Sequence, residues 1–303
     1  MTQLTNLNPT GIALYTQAAE RAAGEVIAAY STSFGAAARL LGERVRQDVR
    51  NIYALVRVAD EVVDGSAAQA AGIAESTVGE AAKANADLLD ELEAETYAAI
   101  DRGYSTNLIV HAFAQTARRA GFARDLVEPF FASMRMDLNQ REHDGASLAA
   151  YIYGSAEVIG LMCLRVFLVD QKVSKSQLAI LENGARALGS AFQKVNFLRD
   201  LAADFNTLGR SYFPGVTAAN FDEATKARLV AEIDGELRLS RASLVLLPND
   251  CRVAVTAAHL LFEALNRKID SLPASAVATG RVSVGTATKL RLLLLAKTGW
   301  SLR

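Results

Sequence analysis

The chain is poor in the residues that interrupt helices and in those that form disulfides. It has 303 residues, of which only five are proline and two are cysteine. Few prolines, abundant alanine and leucine, and no convincing alternation of polar and apolar residues favour helices over strands. Cys163 and Cys251 lack the spacing of metal ligands, and each lies in an apolar helical context. We therefore expect an all-α protein with two reduced core thiols, as is typical of the cytoplasm.

An excess of one charge and long apolar runs are also missing. The formal net charge is -1, and lysine and arginine are spread along the chain, so nothing indicates a nucleic-acid partner. The N-terminus has no basic segment followed by an apolar core, so we expect no signal peptide. No uncharged apolar run reaches the roughly 18 residues that a membrane-spanning helix needs. The composition predicts a soluble protein that is still able to contact a membrane surface.

Helical periodicity dominates the chain, and 51% of its residues are hydrophobic, enough for a sizeable core. Ser33 is a candidate cap for the second helix, and the small polar residues 65–76 are expected to form a loop. No internal linker is long enough to separate domains, so we predict one domain over 1–303, with 1–10 as a flexible N-terminal segment. Three helices are predicted after a loop at 205–215. Before that loop, helices are predicted over 11–29, 34–41, 43–64, 79–102, 105–120, 124–138, 146–169 and 174–204, the last as one helix or two.

The most informative stretch is YALVRVADEVVD, residues 53–64. A surface helix normally has a broad polar face and an apolar stripe. This stretch shows the inverse, a narrow charged stripe on an apolar helix, which predicts a helix buried on most sides with its stripe facing an enclosed cleft. On a helix, four polar residues fall within an arc of roughly 60°: Tyr53, Arg57, Asp60 and Asp64.

A second stripe follows in QKVNFLRDLAAD, residues 193–204, where Arg199 is expected to project from a different side of the helix. Within each Asp pair, Asp60 with Asp64 and Asp200 with Asp204, the Cβ atoms are expected to lie roughly 6 Å apart. At an effective dielectric constant of about 20, two such charges repel by roughly 3 kcal/mol. The residues that share one face of this helix are Gln193, Asn196, Asp200 and Asp204.

Four carboxylates that face one cleft require protonation or a cation. Mg²⁺ is a hard cation that prefers oxygen ligands and often joins a few carboxylates to substrate phosphates. Arg57 is placed to bind phosphate oxygens. Asp pairs at this spacing are also common on solvated helix faces, so the residues alone leave open a two-stripe Mg²⁺ site or two solvated faces. They do not name a substrate.

Several segments together resemble the squalene and phytoene synthase family, the head-to-head prenyl transferases. The resemblance runs from about residue 30 to the C-terminus. Its segments are STSF with RVADEVVD (31–34 and 57–64), MRMDL (134–138), YIYGSAEVIG (151–160), QKVNFLRDLAAD with GRSYFP (193–204 and 209–214) and RVSVGTATKLRLLL (281–294).

The resemblance implies an all-α, single-domain isoprenoid-synthase helical bundle around a central cavity. It implies that Asp60, Asp64, Asp200 and Asp204 hold Mg²⁺, with Mn²⁺ as an alternative, against prenyl diphosphates, and that Arg57 takes part in catalysis. Tyr151 matches a cavity tyrosine of the family, and Arg210 and Tyr212 lie in a flap-like loop. Further positions match those that line the diphosphate and metal region: Tyr30, Ser31, Ser33, Tyr53, Gln193, Asn196 and Arg199.

The expected reaction joins two geranylgeranyl diphosphates through a cyclopropyl diphosphate to phytoene, a carotenoid precursor, with release of diphosphate and without NADPH. Two alternatives remain: a dehydrosqualene or presqualene diphosphate synthase that uses farnesyl diphosphate, and a non-catalytic family member that acts as an assembly factor. We expect a cytoplasmic location, with peripheral contact at the inner face of the membrane for product release. The oligomeric state is not predicted.

Some residues depart from the pattern of close relatives. Tyr30 and Thr32 stand where some members have His and Lys, Phe262 stands where some have Tyr, and Glu157 occupies a small-residue position. These differences weaken a direct transfer of substrate preference but leave the metal site intact. His143 is expected to be a solvated residue in a charged connection. For Arg281, contact with a diphosphate and a place on the surface are both open.

Overall fold

The computed structural model describes residues 10–31, 33–63, 66–70, 78–203 and 209–298. Within these residues no strand forms, and an isolated parallel bridge joins Glu142 to Ser211. The helices are α1 (Gly11–Tyr30), α2 (Ser33–Ala38), α3 (Glu43–Val63), α4 (Ser66–Ala70), α5 (Val78–Arg102), α6 (Leu108–Ala120), α7 (Arg124–Asn139), α8 (Gly145–Ile152), a π-helical segment (Tyr153–Glu157), α9 (Val158–Leu168), α10 (Lys175–Ala203), α11 (Glu223–Leu244), α12 (Asn249–Ser271), α13 (Ala274–Thr279) and α14 (Thr286–Thr298).

The helix ends follow local sequence signals. The Asn107 side chain caps α6 by accepting hydrogen bonds from the backbone of Ile109 and Val110, at 3.0 and 3.3 Å. At the other end of α6, Gly121 takes the left-handed conformation, with φ of 70°. Asp144 and Ser147 form a reciprocal capping box at the start of α8. These signals explain why the predicted and observed boundaries agree closely for most long helices.

Several predictions of local structure were wrong. The expected loop over 65–76 contains a short helix, α4, over the alanine-rich residues 66–70. Beyond α10 the described chain has four helices rather than three, because the six-residue α13 follows Pro273. The predicted helix over 146–169 contains a π-helical segment, whose hydrogen-bond register the sequence periodicity does not reveal. The expected flexible segment lies almost wholly outside the described residues, which begin at residue 10.

The apolar residues form two large buried clusters. One is built around α3, α6, α7 and α9 and contains Phe113, Phe130 and Phe131. The other joins α10, α11, the end of α12 and α13, and contains Phe197 and Phe213. Gly160 and Gly189 allow α9, α10 and the π-helical segment to pack closely, because an added Cβ would lie 2.7 Å from the Ala185 carbonyl oxygen and 2.6 Å from that of Ala156, respectively.

A largely apolar cavity of about 280 Å³ lies between these helices. On α3 it is lined by Val49 and Val56, and on α10 by a row of residues that ends at Phe192. Phe167 also lines it, and the Phe167 carbonyl oxygen accepts a hydrogen bond of 3.0 Å from Arg44 at the start of α3. The cavity therefore extends along α3 from its first turns toward its C-terminal half.

One described stretch, Gly145–Leu168, has the length and composition of a membrane-spanning helix. It comprises α8, the π-helical segment and α9. These elements pack against α3, α6, α7 and α10, as expected for a helix within a protein core.

Candidate active site

The charged stripe of α3 meets the end of α1. The Arg57 guanidinium lies 4.5 Å from the centroid of the Tyr30 ring, within the range of a cation–π contact. Arg57 also pairs with two acidic residues of its own helix. Its Nη1 is 3.8 Å from Asp60 Oδ2, and its Nη2 donates a hydrogen bond to Glu61. Arg57 therefore supplies the positive charge nearest to Asp60 from within α3.

Tyr53 lies one turn before Arg57 and is half-buried. Burial raises the pKa of its phenol above 10.0, and a hydrogen bond to Ser31 acts in the opposite direction. The Ser31 hydroxyl in turn accepts a hydrogen bond of 3.3 Å from the backbone of Gly35. At neutral pH Tyr53 is therefore a protonated phenol beside the junction of α1 and α2.

The stripe of α10 is balanced by two arginines. Arg199 Nε donates a hydrogen bond of 3.0 Å to Asp200 Oδ2, and Arg281 Nε lies 2.8 Å from Asp200 Oδ1. The backbone of Val282 donates to the carbonyl of Arg199 at 3.4 Å, which ties this late segment to α10. Arg199 was expected to project away from the stripe, but its long side chain folds back to Asp200. Arg281 contacts the acidic residue while 69% of its side chain stays exposed.

Asn196 lies one turn before Asp200, and its Oδ1 atom is buried without a hydrogen-bond partner among the described residues. An amide oxygen in this state is a candidate cation ligand. Gln193, further back on the same helix, is half-buried. Asp64 and Asp204 lie outside the described residues, and Ser33 is described only in its backbone.

Both stripes continue the faces that line the cavity. On α3, Val49 and Val56 line it and Asp60 follows Val56 by one turn. On α10, Phe192 lines it, and Asn196 and Asp200 follow at intervals of four residues. Since residues four apart share a helix face, both acidic residues lie on extensions of the cavity wall. Each of these two cavity walls thus continues from apolar residues into a carboxylate with an arginine beside it.

A third cluster is centred on Asp137 of α7, which the sequence analysis did not single out. Tyr151 donates a hydrogen bond of 2.8 Å to Asp137 Oδ2, and Tyr212 donates one of 3.4 Å to Oδ1. Arg210 Nη1 lies 3.8 Å from Oδ1, and Arg210 Nη2 donates to the Asp137 carbonyl at 3.1 Å. Three predicted site residues therefore converge on one carboxylate. Tyr151 is 3% exposed and is not among the residues that line the apolar cavity.

The prediction for His143 was wrong, because the residue is 7% exposed. Its ring stacks on Tyr212, with centroids 5.8 Å apart and planes inclined by 18°, and it lies 5.2 Å from the Tyr151 ring. Burial lowers the pKa of His143 below 6.5, so the imidazole is neutral at pH 7. The residues next to His143 in the sequence are charged and gave no sign of its aromatic contacts. Those contacts form only when α8 and residues 209–216 come together. We call residues 209–216 the flap loop.

The oxygen donors of the two stripes suit a hard cation. Among the described residues, no three acidic, histidine or cysteine side chains form a metal-binding group, but Asp64 and Asp204 are not among those residues. Asp60, Asp200 and the buried Asn196 oxygen provide carboxylate and amide oxygens, the ligand types that Mg²⁺ prefers. The residues present therefore fit Mg²⁺ better than a softer metal, which would favour sulfur or nitrogen ligands.

The chain was also compared with known proteins. Residues 27–288 match the squalene/phytoene synthase family. The chain is 30% identical to a 15-cis-phytoene synthase of Paracoccus sp., over 91% of this chain and 89% of that protein. It is 28% identical to a phytoene synthase of Pseudescherichia vulneris, over 84% of this chain and 83% of that protein.

The fold is also similar to that of a solved structure. A dehydrosqualene synthase crystallised with a ligand has a TM-score of 0.76 and 20% identity, over 96% of this chain and 99% of that one. The predicted all-α isoprenoid-synthase architecture is thereby confirmed. The roles of the individual site residues stay predictions. The chain belongs to the squalene/phytoene synthase family.

Proposed function

We propose that the protein condenses two molecules of geranylgeranyl diphosphate head-to-head, through a cyclopropyl diphosphate, to phytoene. The observation that carries this proposal is the apolar cavity of about 280 Å³ whose walls on α3 and α10 continue into Asp60 and Asp200. A prenyl diphosphate has the matching division, with an apolar tail and a charged head. The similarity to a 15-cis-phytoene synthase over 91% of the chain supports the twenty-carbon substrate.

Mg²⁺ would be held by Asp60, Asp64, Asp200 and Asp204, with Asn196 as a further oxygen ligand, and would stabilise charge on the leaving diphosphate. Mn²⁺ is the alternative ion. The arginines next to the two stripes would bind the remaining phosphate oxygens, since a guanidinium can donate two parallel hydrogen bonds to phosphate. Arg57 serves the α3 side, and Arg199 and Arg281 serve the α10 side. Pre-oriented positive groups stabilise the diphosphate as its charge develops.

The chemistry requires no external electrons. In the first stage the C–O bond of one allylic diphosphate breaks, the double bond of the second molecule attacks the cation, and a proton leaves as the cyclopropane forms. In the second stage the other diphosphate leaves, the carbon skeleton rearranges, and loss of a second proton gives phytoene. Two diphosphates and two protons are released overall, so we expect no requirement for NADPH.

The apolar cavity keeps water away from the carbocations, which water would capture as alcohols. Phe192 of its lining stacks on Phe262, with ring centroids 3.7 Å apart, so Phe262 supports an apolar wall. Glu157, another departure from close relatives, pairs with Arg186 at 2.6 Å. This pair compensates the Glu157 charge within the protein.

We place the protein in the cytoplasm. Its substrates have charged heads and are accessible from water, whereas its product is a hydrocarbon without a polar group. Release of that product favours peripheral contact with the inner face of the membrane.

Product analysis tests the proposal. Purified protein is incubated with geranylgeranyl or farnesyl diphosphate and Mg²⁺, with and without NADPH, and the hydrocarbons are identified. We expect phytoene from the twenty-carbon substrate regardless of NADPH. A thirty-carbon product alone would identify the farnesyl-using alternative, and no product from either substrate would favour the assembly-factor alternative.

A further inference from the structure

We propose that Asp137 is a positioning residue that holds the flap loop and orients Tyr151. The inference rests on the proposed function, because its consequences concern prenyl diphosphate chemistry. Asp137 lies on α7, away from both acidic stripes in sequence, and has no role in holding Mg²⁺ in the account above. Its contacts nevertheless reach three of the residues that the family resemblance places at the site.

The Asp137 carboxylate is buried. Only 6% of the Asp137 side chain is exposed. Its Oδ2 accepts the 2.8 Å hydrogen bond from Tyr151, and its Oδ1 faces the Tyr212 hydroxyl at 3.4 Å and Arg210 Nη1 at 3.8 Å. Tyr151 belongs to α8, whereas Arg210 and Tyr212 belong to the flap loop. One side chain therefore joins three separate segments of the chain.

The residues around Asp137 also reach the helices of both acidic stripes. Arg210 Nη2 also lies 3.5 Å from the carbonyl oxygen of Val63, the last residue of α3. Tyr212 stacks on Phe197 of α10, with ring centroids 4.0 Å apart and planes inclined by 11°. Phe197 directly follows Asn196 in the chain. The Asp137 cluster thus contacts the helix of Asp60 at one side and the helix of Asp200 at the other.

The contacts of Asp137 require a carboxylate at this position. A buried charge is unfavourable unless it is paired and hydrogen-bonded. Asp137 meets this condition with a guanidinium and two phenols. Burial and the nearby Asp137 charge raise the pKa of Tyr151 well above 10.0, so its hydroxyl stays a donor. Hydrogen bonds to a charged acceptor are stronger than neutral ones, and so they restrict the directions of both phenols.

The base of the flap loop is held by contacts other than those of the Asp137 carboxylate. The Ser211 backbone donates a hydrogen bond of 2.7 Å to the Arg141 carbonyl, and Ser211 bridges to Glu142. These main-chain contacts hold the base of the loop without Asp137. Loss of the carboxylate is therefore expected to loosen Tyr151 and the flap-loop side chains while the global fold remains. Arg210 keeps its hydrogen bonds to main-chain carbonyls, and Tyr212 keeps its stack on Phe197.

The experiment compares Asp137→Ala, Asp137→Asn, Tyr151→Phe and the double variant Asp137→Ala/Tyr151→Phe. The control is Asp90→Ala, which removes a carboxylate that pairs with Arg135, also on α7, but is 60% exposed. Three quantities are measured: kcat and KM for hydrocarbon formation, the ratio of prenyl alcohol to hydrocarbon, and amide hydrogen exchange in the flap loop. The alcohol ratio reports capture of carbocations by water.

For Asp137→Ala we expect kcat to fall at least about tenfold, as for loss of a hydrogen bond to a charged group, while KM changes little. We expect more alcohol and faster exchange in the flap loop. Asp137→Asn should be intermediate, because it keeps an acceptor and loses the charge. The double variant should be no worse than Asp137→Ala, since both changes break the same contact. Asp90→Ala should behave as wild type.

An alcohol ratio and flap-loop exchange in Asp137→Ala equal to those of Asp90→Ala would overturn the proposal. If Asp137→Ala does not fold, Asp137→Asn and Tyr212→Phe decide by the same readouts. If wild type forms no prenyl product, the proposed function fails, and faster exchange in the flap loop of the Asp137 variants still decides whether Asp137 holds that loop.

Discussion

The two acidic stripes are similar in sequence but are balanced in different ways. Asp60 has its arginine on the same helix, with Arg57 Nη1 at 3.8 Å. Asp200 has one arginine next to it in the chain and a second, Arg281 at 2.8 Å, from a segment between α13 and α14. The arginine that pairs with Asp60 is therefore in place as soon as α3 forms. The α10 stripe is complete only when the C-terminal part of the chain has packed against it.

The largest effect is expected from replacing one aspartate of either stripe, which tests whether the two stripes are equally important for turnover. Asp60→Asn and Asp200→Asn keep shape and polarity but remove one negative ligand each. We expect each change to lower kcat by at least about a thousandfold, the scale of losing a group that stabilises the transition state. Steady-state product formation under saturating Mg²⁺ measures this.

Circular dichroism and thermal unfolding are the controls for Asp60→Asn and Asp200→Asn, and both variants should keep the wild-type helical content. Normal turnover by either variant would contradict the role of that residue.

Replacing the arginines should have smaller effects on activity and distinguishes the two stripes more sharply. Arg57 is 27% exposed in its side chain, whereas Arg281 is 69% exposed. Interactions of exposed charges are weakened by water and salt. We expect Arg57→Ala to lower kcat/KM by about a hundredfold and Arg281→Ala by about tenfold, from loss of charged hydrogen bonds of unequal burial.

The salt dependence of kcat/KM separates these two arginines. Raising ionic strength should reduce the difference between wild type and Arg281→Ala more than that between wild type and Arg57→Ala. Equal salt dependence would mean that the two stripes meet the diphosphate in equally exposed positions.

Much of this architecture could be predicted because its causes are local. The stripe of α3, its inverted polarity and most helix boundaries depend on residues within a few turns of each other. The family resemblance then indicated the fold and the site residues. The observed contacts of Arg57 with Asp60 and Tyr30 remain within or next to the predicted segments.

The remaining contacts depend on distant parts of the chain. The MRMDL segment containing Asp137 was noticed, but its carboxylate meets Tyr151 and Arg210 only after α7, α8 and the flap loop pack together. His143 has charged neighbours in the sequence and aromatic neighbours in space. The π-helical segment likewise has no signature in hydrophobic periodicity, since it differs from an α-helix by its hydrogen-bond register.

The cavity wall of α3 provides a further test. Val49 lies on the lining face, at a distance of about 16 Å from Asp60 along the helix at 1.5 Å per residue. Val49→Phe adds a ring inside the cavity and should exclude the end of a long tail. We expect the ratio of thirty- to forty-carbon products to rise in competition assays with both substrates. Val49→Leu is the control, and an unchanged ratio in Val49→Phe would place the tails elsewhere.

The smallest expected effect is the loss of folding stability at acidic pH, which depends on buried histidines in two regions of the protein. His111 accepts or donates a 2.9 Å hydrogen bond with Thr16 between α6 and α1, and His143 stacks on Tyr212. Burial lowers the pKa of both, and of His259, below 6.5. The histidines of the unfolded chain therefore bind protons more readily than those of the folded chain. Their contribution to the free energy of unfolding is fully present above pH 6.5 and is lost as the pH falls through the folded-state pKa values.

We expect the free energy of unfolding to fall between pH 7 and pH 5.5, by at most about 1.4 kcal/mol per histidine per pH unit. Urea unfolding at several pH values measures this. His111→Gln and His143→Gln should each reduce the acid dependence. If only one variant does so, only one of the two regions is sensitive to acid.

Binding of Mg²⁺ together with an unreactive diphosphate tests the central claim most directly. Calorimetric titration of geranylgeranyl thiodiphosphate, with and without Mg²⁺, would be compared among wild type, Asp60→Asn and Asp200→Asn. The account predicts that Mg²⁺ strengthens binding to wild type and that either substitution removes most of this gain, because both stripes hold the same diphosphate–metal group. A full Mg²⁺-dependent gain in either variant would contradict it.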